Sequence, residues 1–315
     1  MELRHLRHFA AVVECGNLSR AAEQVFISQP ALTRSIKSLE DSVGAVLLER
    51  RPRGVVPTPA GEALHRYARL MLNEAANARA EVAAVQSGAR GQLSVGIAAM
   101  FADHIVDRAV MRLCTAADVS IQVTQGFIEE LVEALRDGRL DLLFTNLGTG
   151  ALPGDVHVEP LIDINAFAYV GATHPLTRLT RITKEDLISA RWAVADHPRM
   201  HEFLDQYFSV DGLPTPVRVV RTNSLDLIRS LLASGGFVGI VPEHLVAASV
   251  ARGEIVRIDA PDCPVARKAG LITRAGRPPQ PLLDQFVAEL RAACRDAPTA
   301  SHAAPLELAF MGSAV

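Results

Sequence analysis

The chain has 315 residues, 49% of them hydrophobic, and a formal net charge of −3. This length accommodates two or three domains, and the apolar fraction excludes a globally disordered chain. The small negative charge excludes a protein coated in positive charge, so nucleic-acid binding would have to rest on a local basic patch.

The cysteines and the N-terminus indicate the cellular compartment. The four cysteines are scattered, with no C-x-x-C pair, at Cys15, Cys114, Cys263 and Cys294. This spacing disfavours a zinc site and a disulfide framework, and it fits reduced thiols. Residues 1–5 contain no apolar signal core, and no run approaches the ~18 apolar residues of a membrane span. We therefore expect a soluble, cytoplasmic protein without a metal or cofactor.

The first predicted helix follows apolar residues that recur at helical spacing. They are Leu3, Leu6, Phe9, Ala10 and Val13. Gly16 can end the helix in a left-handed conformation. We expect this helix to form the floor under the next two. His5 and His8 lie on its surface face and are not expected to bind a metal.

Residues 18–37 predict two short helices joined by a tight turn. Ser19 is placed to cap the first helix and Ser28 the second, with Pro30 in the first turn, where its missing N–H costs nothing. One apolar stripe of the second helix consists of Leu32, Ile36, Leu39 and Val43. A separate face carries Pro30, Thr33, Arg34 and Lys37. This pattern predicts a helix-turn-helix, although two amphipathic surface helices with a solvated cationic face would produce it too.

The next segment predicts a β-hairpin wing. Residues 47–48 begin a strand, residues 50–54 form a tight turn, and residues 55–56 return along it. Residues 28–58 contain five basic and three acidic side chains, a local basic patch. Arg53, at the tip of the turn, is placed to enter a minor groove. The alternative is an ordinary solvated turn.

Thr58 and Pro59 predict the start of a long helix, as N-cap and first helical residue. A seam that repeats every 3.5 residues follows, formed by Ala60, Leu64, Tyr67, Met71, Glu74, Ala78, Glu81 and Val85. About thirty helical residues would span roughly 45 Å. We expect this narrow seam to pair with a second chain; the alternative is packing against its own domain. Gly88 to Gly91 are expected to form a hinge.

Beyond Gly91, short apolar strands alternate with helices, a pattern typical of a parallel sheet covered by helices. The first run predicts strands at 93–98, 119–123 and 140–145 and helices at 101–114 and 128–137. The second run predicts strands at 166–170, 193–194, 217–221, 237–241 and 255–256 and helices at 183–188, 200–208, 225–234 and 244–251. Thr183 and Asp186 form a capping pair. A strand at 270–273 and a helix at 281–294 are expected to return to the first lobe.

Residues 1–61 resemble the DNA-binding domain of the LysR-type transcriptional regulators. The resemblance rests on blocks in the family's order and spacing, at Leu3–Phe9, Ala21–Ala22, Ser28–Leu32, Ile36–Glu40, Leu47–Arg50 and Thr58–Gly61. The second half resembles the family's effector-binding domain, which is akin to periplasmic binding proteins. Its shorter blocks are Gly138–Leu142, Thr173–Leu176, Ser234–Gly236 and Gly239–Pro242.

The resemblance implies an α/β chain with three parts. They are a winged helix-turn-helix at 1–58, a linker and dimerisation helix with hinge at 59–90, and a two-lobed α/β effector domain at 91–295. Lobe 1 would comprise about 91–162 plus 268–295, and lobe 2 about 163–267, joined by crossing segments near 161–171 and 257–270. Residues 296–315 are expected to form a disordered tail.

Side-chain chemistry assigns roles on the recognition helix. Gln29 can bond an adenine edge, Pro30 with Ala31 can touch a thymine methyl, and Arg34 suits guanine. Thr33 can bond base or phosphate, and Lys37 suits phosphate. The resemblance supports contacts near the bases from Ser28, Gln29, Pro30, Thr33 and Arg34, and a wing contact from Arg53.

The effector site is expected where strands end and helices begin, because free N–H groups there favour an anion. The candidate residues are Ala99, Met100, Phe101, Phe127, Thr145, Asn146, Arg199, Met200, His201, Asn223 and Ser224. Family members that bind carboxylates place small hydroxyl residues where Met100 and Phe127 stand here. This difference favours a bulkier or more apolar ligand, or a displaced site.

Several functions compete with this interpretation. The sequence contains no nucleophile elbow, P-loop, dinucleotide fingerprint or H-E-x-x-H motif, which disfavours an enzyme. A free-standing binding protein would normally carry an export signal and would not need residues 1–61. We expect a regulator that binds duplex DNA and an effector, as a homodimer or homotetramer. A DNA-binding repressor whose C-terminal half only oligomerises remains the alternative.

Overall fold

A computed structural model of the chain describes residues 1–52, 54–87, 91–147, 152–263, 265–277 and 279–296. Three predictions lie outside these residues: Arg53 at the wing tip, positions 88–90 of the hinge, and positions 297–315 of the tail. Every helix in the described ranges is too short or too polar to cross a membrane.

The N-terminal unit is a winged helix-turn-helix. Its elements are α1 (Leu3–Cys15), α2 (Leu18–Gln24), α3 (Gln29–Val43), β1 (Leu48–Arg51) and β2 (Gly54–Pro57). Strands β1 and β2 pair antiparallel as the predicted wing. The core is formed by buried apolar residues of all three helices and the wing, among them Leu6, Phe9, Ala21, Leu32, Leu39, Leu47 and Val55.

Local signals determine most of the helix ends in this unit. Gly16 ends α1 at φ 62°, and the Ser28 hydroxyl accepts the Ala31 amide at 3.4 Å to cap α3. The predicted cap of α2 was wrong. The helix begins at Leu18, so the side chain of Asn17 accepts the amides of Ser19 and Arg20 at 2.9 and 3.1 Å.

The predicted apolar stripe of α3 was wrong at one residue. Leu32, Ile36 and Leu39 are buried, whereas Val43 is 42% exposed. Val43 is the last residue of α3, immediately before Gly44 ends the helix. Its side chain therefore lies past the packed part of the domain.

Helix α4 (Pro59–Ser87) is the predicted long helix, and the Thr58 hydroxyl accepts the Gly61 amide at 3.0 Å to cap it. Within one chain, the residues of the predicted seam have different surroundings. Leu64 and Met71 pack against the helix-turn-helix core of the same chain, whereas Tyr67 is 61% exposed. A straight α-helix drifts about 20° per heptad relative to a 3.5-residue repeat, so the seam winds around α4.

The second half of the chain begins with lobe 1. Its strands are β3 (Gln92–Ile97), β4 (Ser120–Gln125) and β5 (Leu142–Leu147), and its helices are α5 (Asp107–Ala116), α6 (Ile128–Arg136) and α11 (Pro281–Asp296). The predicted helix at 101–114 is interrupted. A 3-10 turn at Ala99–Phe101 and a π-helical turn at Ala102–Val106 precede α5.

Lobe 2 follows the same plan. Its strands are β7 (Trp192–Ala195), β8 (Val219–Thr222), β9 (Val238–Pro242) and β10 (Ile255–Arg257), and its helices are α7 (Lys184–Ser189), α8 (Pro198–Ser209), α9 (Leu225–Ala233) and α10 (Glu243–Ala251). A 3-10 turn at Pro175–Arg178 precedes α7, and Thr183 and Asp186 form the predicted capping box.

Two long antiparallel strands, β6 (Val156–Gly171) and β11 (Val265–Arg274), join the lobes. The strand order is β4-β3-β5-β11-β6-β9-β7-β8, with β10 paired to β6. The second crossing strand begins later than the predicted segment at 257–270, because β10 first pairs with β6 inside lobe 2. Each lobe keeps its own core, with Phe144 and Phe286 in lobe 1 and Trp192 and Phe208 in lobe 2.

Candidate functional site

The first candidate site is the outer face of α3. Ser28, Gln29, Pro30, Arg34 and Lys37 are exposed there, and Ala31 and Thr33 are half-buried. The seven residues therefore form one accessible polar surface at the start of the helix. The Arg53 candidate lies outside the described residues, and its neighbours Arg50 and Arg51 are exposed on the wing.

Besides Ser28, whose hydroxyl caps α3, two of these polar side chains already have partners within the domain. The Thr33 hydroxyl donates to the backbone oxygen of Gln29 at 3.0 Å. The Ser19 hydroxyl donates to Oε1 of Gln29 at 3.3 Å. Ser19 therefore orients the Gln29 amide instead of capping α2.

Polar contacts fix α3 and the wing to the rest of the unit. His8 Nδ1 lies 2.7 Å from the Ser35 hydroxyl, which ties α3 to α1, and burial lowers the pKa of His8. Glu40 accepts the backbone amide of Leu47 at 2.8 Å and holds the start of the wing. A Cβ at Gly54 would lie 2.3 Å from the carbonyl oxygen of Gly16, so this wing position requires glycine.

Phe26 is a feature of the turn between α2 and α3 that the sequence interpretation missed. It has φ 58°, a left-handed conformation that costs roughly 1–2 kcal/mol in a residue with a Cβ. Its side chain is 93% exposed. The signal in the sequence was a large apolar residue outside the apolar stripe of α3.

The second candidate site is a narrow cavity of about 40 Å³ between the lobes. Three predicted residues, Met100, Asn146 and Met200, line it. Seven further lining residues are Ile164, Ala166, Phe203, Ile240, Pro242, Val265 and Arg267. Elements of both lobes and both crossing strands therefore meet at this cavity.

Other predicted effector residues form the structure around the cavity. Phe101 is buried, with its ring stacked on His244 at 5.9 Å and edge-on to Phe144 at 4.9 Å. Thr145 is buried in β5 opposite Gly270. Ala99 opens the 3-10 turn that carries Met100 and Phe101. These three residues are adjacent in the chain to residues that line the cavity and do not line it themselves.

Phe127 and Arg199 form contacts between the lobes instead of lining the cavity. Phe127 and His197 bring their rings to 4.6 Å. Arg199 pairs with Glu129 at 3.2 Å, and His197 lies 3.6 Å from the same carboxylate. The beginning of α6 in lobe 1 therefore contacts the beginning of α8 in lobe 2.

The last three predicted effector residues do not line the cavity either. Nε2 of His201 lies 3.3 Å from the Asp196 carboxylate. The Ser224 hydroxyl accepts the Leu227 amide at 3.2 Å and caps α9. Asn223 is exposed beside it. Ser224 therefore has a structural role at the start of its helix.

The sequence interpretation missed Arg267 on β11. Its guanidinium lies 5.8 Å from the centre of the Phe203 ring. Burial, and then the charge of Arg199, lower the pKa of Arg267. Its position inside the predicted crossing segment was the signal that could have identified it, because a crossing segment forms the floor of a cleft.

Helix α4 is attached to lobe 1 of the same chain. The side-chain amides of Asn73 and Asn77 donate to the carbonyl oxygens of Asp137 and Gly138 at 2.7 and 3.3 Å. Arg69 pairs with the Asp137 carboxylate at 3.0 Å. At the end of β11, Arg274 forms an ion pair with Glu74 of α4. The long helix therefore contacts both the helix-turn-helix unit and lobe 1.

Comparison with known proteins shows the same two units. A family model described as the LysR substrate binding domain matches residues 86–295. A second model, the lysR family of bacterial regulatory helix-turn-helix proteins, matches residues 3–62. The SDS degradation transcriptional activation protein of a Pseudomonas species is 30% identical over 282 residues, 88% of this chain and 91% of that protein.

Solved structures share the architecture. A full-length OxyR variant from Pseudomonas aeruginosa is 27% identical, with a TM-score of 0.63, and the match covers 94% of this chain and 97% of that one. Full-length LysG from Corynebacterium glutamicum, with bound effector Arg, is 20% identical with a TM-score of 0.66, over 94% and 99% of the two chains, and shows the same fold. The chain therefore belongs to the LysR family of DNA-binding transcriptional regulators.

Proposed function

We propose that this regulator binds a specific DNA sequence through α3 and that a small molecule bound between its lobes changes this binding. The observation that supports the first part is the exposed polar face of α3 on a helix whose opposite face is buried. On that face, Gln29 suits adenine, Arg34 suits guanine and Lys37 suits a phosphate.

The interlobe cavity supports the second part of the proposal. Contacts connect the lobes at two places, Met100 with His244 and Glu129 with Arg199. A molecule with different affinities for two lobe arrangements shifts the equilibrium between them, and one that binds both equally changes nothing. LysG, which has the same fold, was solved with bound effector Arg.

Two of the four cysteines, Cys263 and Cys294, are poorly suited to carry a thiol-oxidation signal. Burial raises the pKa of both Cys263 and Cys294 to about 11. The thiolate is the reactive form of cysteine, and these two thiols remain protonated at neutral pH.

Helix α4 supports an assembly of two or more chains. Tyr67 and Val82 leave large apolar side chains exposed on it. Such side chains on a long helix are suited to pairing with a second copy. We propose a homodimer or homotetramer that places recognition helices on successive half-sites.

The test is footprinting of the full-length protein on a DNA site selected in vitro from a random library. We expect protection of two half-sites and a change in protected length or in cleavage between them with one member of a metabolite panel. Failure to select any DNA sequence would contradict the proposal. A footprint that no metabolite changes would favour the DNA-binding repressor whose C-terminal half only oligomerises.

A further inference from the structure

Two polar side chains lie on the same face of the sheet at the interlobe cavity. Asn146 of β5 pairs directly with Ala269 of β11. Residues directly opposite each other point to the same face, and side chains two positions apart on a strand share that face. Arg267 is therefore a diagonal neighbour of Asn146, at about 7–8 Å between backbones. Both line the cavity.

Arg267 needs a negative charge that its surroundings do not supply. Its side chain is in no ion pair among the residues that the structure describes, and no acidic group contributes to the shift of its pKa. Arg199 adds a second positive charge nearby. Arg267 is half-buried, and a partly desolvated charge without a partner is unfavourable, so an anion entering the cavity would stabilise it.

Asn146 needs a hydrogen-bond donor. Its Oδ1 is buried and has no hydrogen-bond partner in the described part of the chain. Its Nδ2 donates to the sulfur of Met100 at 3.2 Å, a weak acceptor. A buried amide oxygen without a donor is unfavourable, and a ligand that donates a hydrogen bond to it would remove that cost.

The remaining wall limits the size of the ligand. Apolar side chains surround the two polar groups: Met200, Phe203, Ile164, Ile240 and Val265. The cavity volume of about 40 Å³ is roughly three times the 10–15 Å³ that one water requires. The space between Arg267 and Asn146 therefore accommodates a ligand of only a few non-hydrogen atoms in this arrangement of the lobes.

We infer that the cavity binds a short organic acid that carries a hydrogen-bond donor next to its carboxylate, a 2-hydroxy acid or an α-amino acid. The carboxylate pairs with Arg267, and the hydroxyl or ammonium donates to Oδ1 of Asn146. This inference rests on the proposed function, since it names the class of effector for the same site. Arg267 and Asn146 would then determine which acids are accepted.

The test uses the full-length protein and three compounds with two carbon atoms each: sodium glycolate, glycine and sodium acetate. Isothermal titration calorimetry measures each dissociation constant, and ethylene glycol serves as the uncharged probe. We expect glycolate or glycine to bind roughly tenfold or more tightly than acetate, because acetate leaves Asn146 unpaired. The better of the two identifies the donor as hydroxyl or ammonium. We expect no binding of ethylene glycol.

Variants assign the two roles. Arg267→Gln should weaken binding of the preferred acid by roughly tenfold to a hundredfold, and Arg267→Lys should restore part of it. In Asn146→Leu, the preferred acid and acetate should bind about equally tightly. The variant has no amide oxygen that acetate would leave unpaired. Lys268→Gln is the matched control, because Lys268 is the next residue on β11, is exposed and points to the opposite face. Circular dichroism confirms that each variant folds.

Three results would overturn the inference: no binding of any acid, equal binding of acetate and glycolate or glycine, or unchanged binding in Arg267→Gln. These failures are distinct from failure of the proposed function. A neutral or cationic metabolite that changes the footprint even in Arg267→Gln would leave the proposed function standing and remove this ligand class. Acids that bind through Arg267 without any effect on DNA binding would support this ligand class and contradict the proposed function.

Discussion

His244 of lobe 2 is hydrogen-bonded to the backbone of Met100 in lobe 1, with its Nε2 at 2.7 Å from the carbonyl oxygen. Its ring also stacks on Phe101 with an angle of 16° between the planes. Because Met100 lines the interlobe cavity, this contact connects the cavity wall to the opposite lobe. Opening of the lobes must break it.

Replacement of this histidine tests the connection. His244→Phe retains a ring that can stack on Phe101 but leaves the Met100 carbonyl without its donor. We expect the free energy of unfolding to fall by about 1 kcal/mol and the radius of gyration from small-angle scattering to rise. Urea denaturation measures the first quantity. Unchanged values for both would show that the bond does not hold the lobes together.

Two cationic residues of α3 should affect DNA binding differently. Arg34→Ala should cost about 1–3 kcal/mol on the selected site and lose discrimination at one base pair. Lys37→Ala should weaken binding to all sequences alike and lower the slope of log K against log salt by about 1. Fluorescence anisotropy on single-base variants of the site separates the two effects. Uniform weakening by Arg34→Ala would make Arg34 a phosphate contact.

The buried stripe of α3 provides a matched pair for stability. Leu39→Ala should lower the free energy of unfolding by about 2–5 kcal/mol, because Leu39 is fully buried and leaves a cavity. Val43→Ala should change it by less than about 0.5 kcal/mol, as is usual for a surface substitution. Chemical denaturation of both variants checks the pair. A large loss in Val43→Ala would indicate that Val43 is buried in the assembly.

Replacement of Phe26, the residue with a left-handed backbone conformation in the turn, should stabilise the protein. Phe26→Asn should raise the free energy of unfolding by about 1 kcal/mol, since asparagine tolerates positive φ far better than phenylalanine. The melting temperature of the helix-turn-helix transition measures this effect. A lower melting temperature would mean that the Phe26 ring contacts a partner chain, since it is exposed within one protomer.

A buried histidine should make the protein less stable in acid. The ring of His174 accepts the Leu176 amide at 3.1 Å through Nδ1, and burial lowers the pKa of His174 from 6.5. The folded state therefore binds fewer protons than the unfolded state, and stability is lost as the pH falls below 6.5. His174→Asn keeps an acceptor at this cap. Denaturation at pH 7 and pH 5 should show a smaller difference for the variant than for the wild type.

The parts that sequence could predict are those fixed by neighbouring residues. Gly16, Ser28 and Pro30 act within one turn of their own helices, so helix ends in the first domain follow from local chemistry. The prediction that Ser19 caps α2 was wrong because Asn17, two residues earlier, is an equally good cap and occupies the N-cap position. The prediction that Val43 is buried was wrong because helical periodicity assigns a residue to a face but does not show where the packed part of the domain ends.

The cavity could be predicted only in part, since its walls come from distant segments. Met100 and Asn146 were found because each follows a predicted strand. Arg267 was missed because its proximity to Asn146 depends on the pairing of β5 with β11, more than a hundred residues apart. Phe127 was assigned to ligand binding, whereas in the structure it packs on His197.

Strand β11 connects the interlobe cavity to helix α4. Arg267 lies at the cavity, and Arg274, seven residues later on the same strand, forms the ion pair with Glu74 of α4. Seven residues of strand extend roughly 23 Å. Because a strand paired on both sides resists stretching, a shift of Arg267 along the strand axis would be transmitted to Arg274 and therefore to α4. In the function proposed above, this single strand would link ligand binding between the lobes to the position of α4.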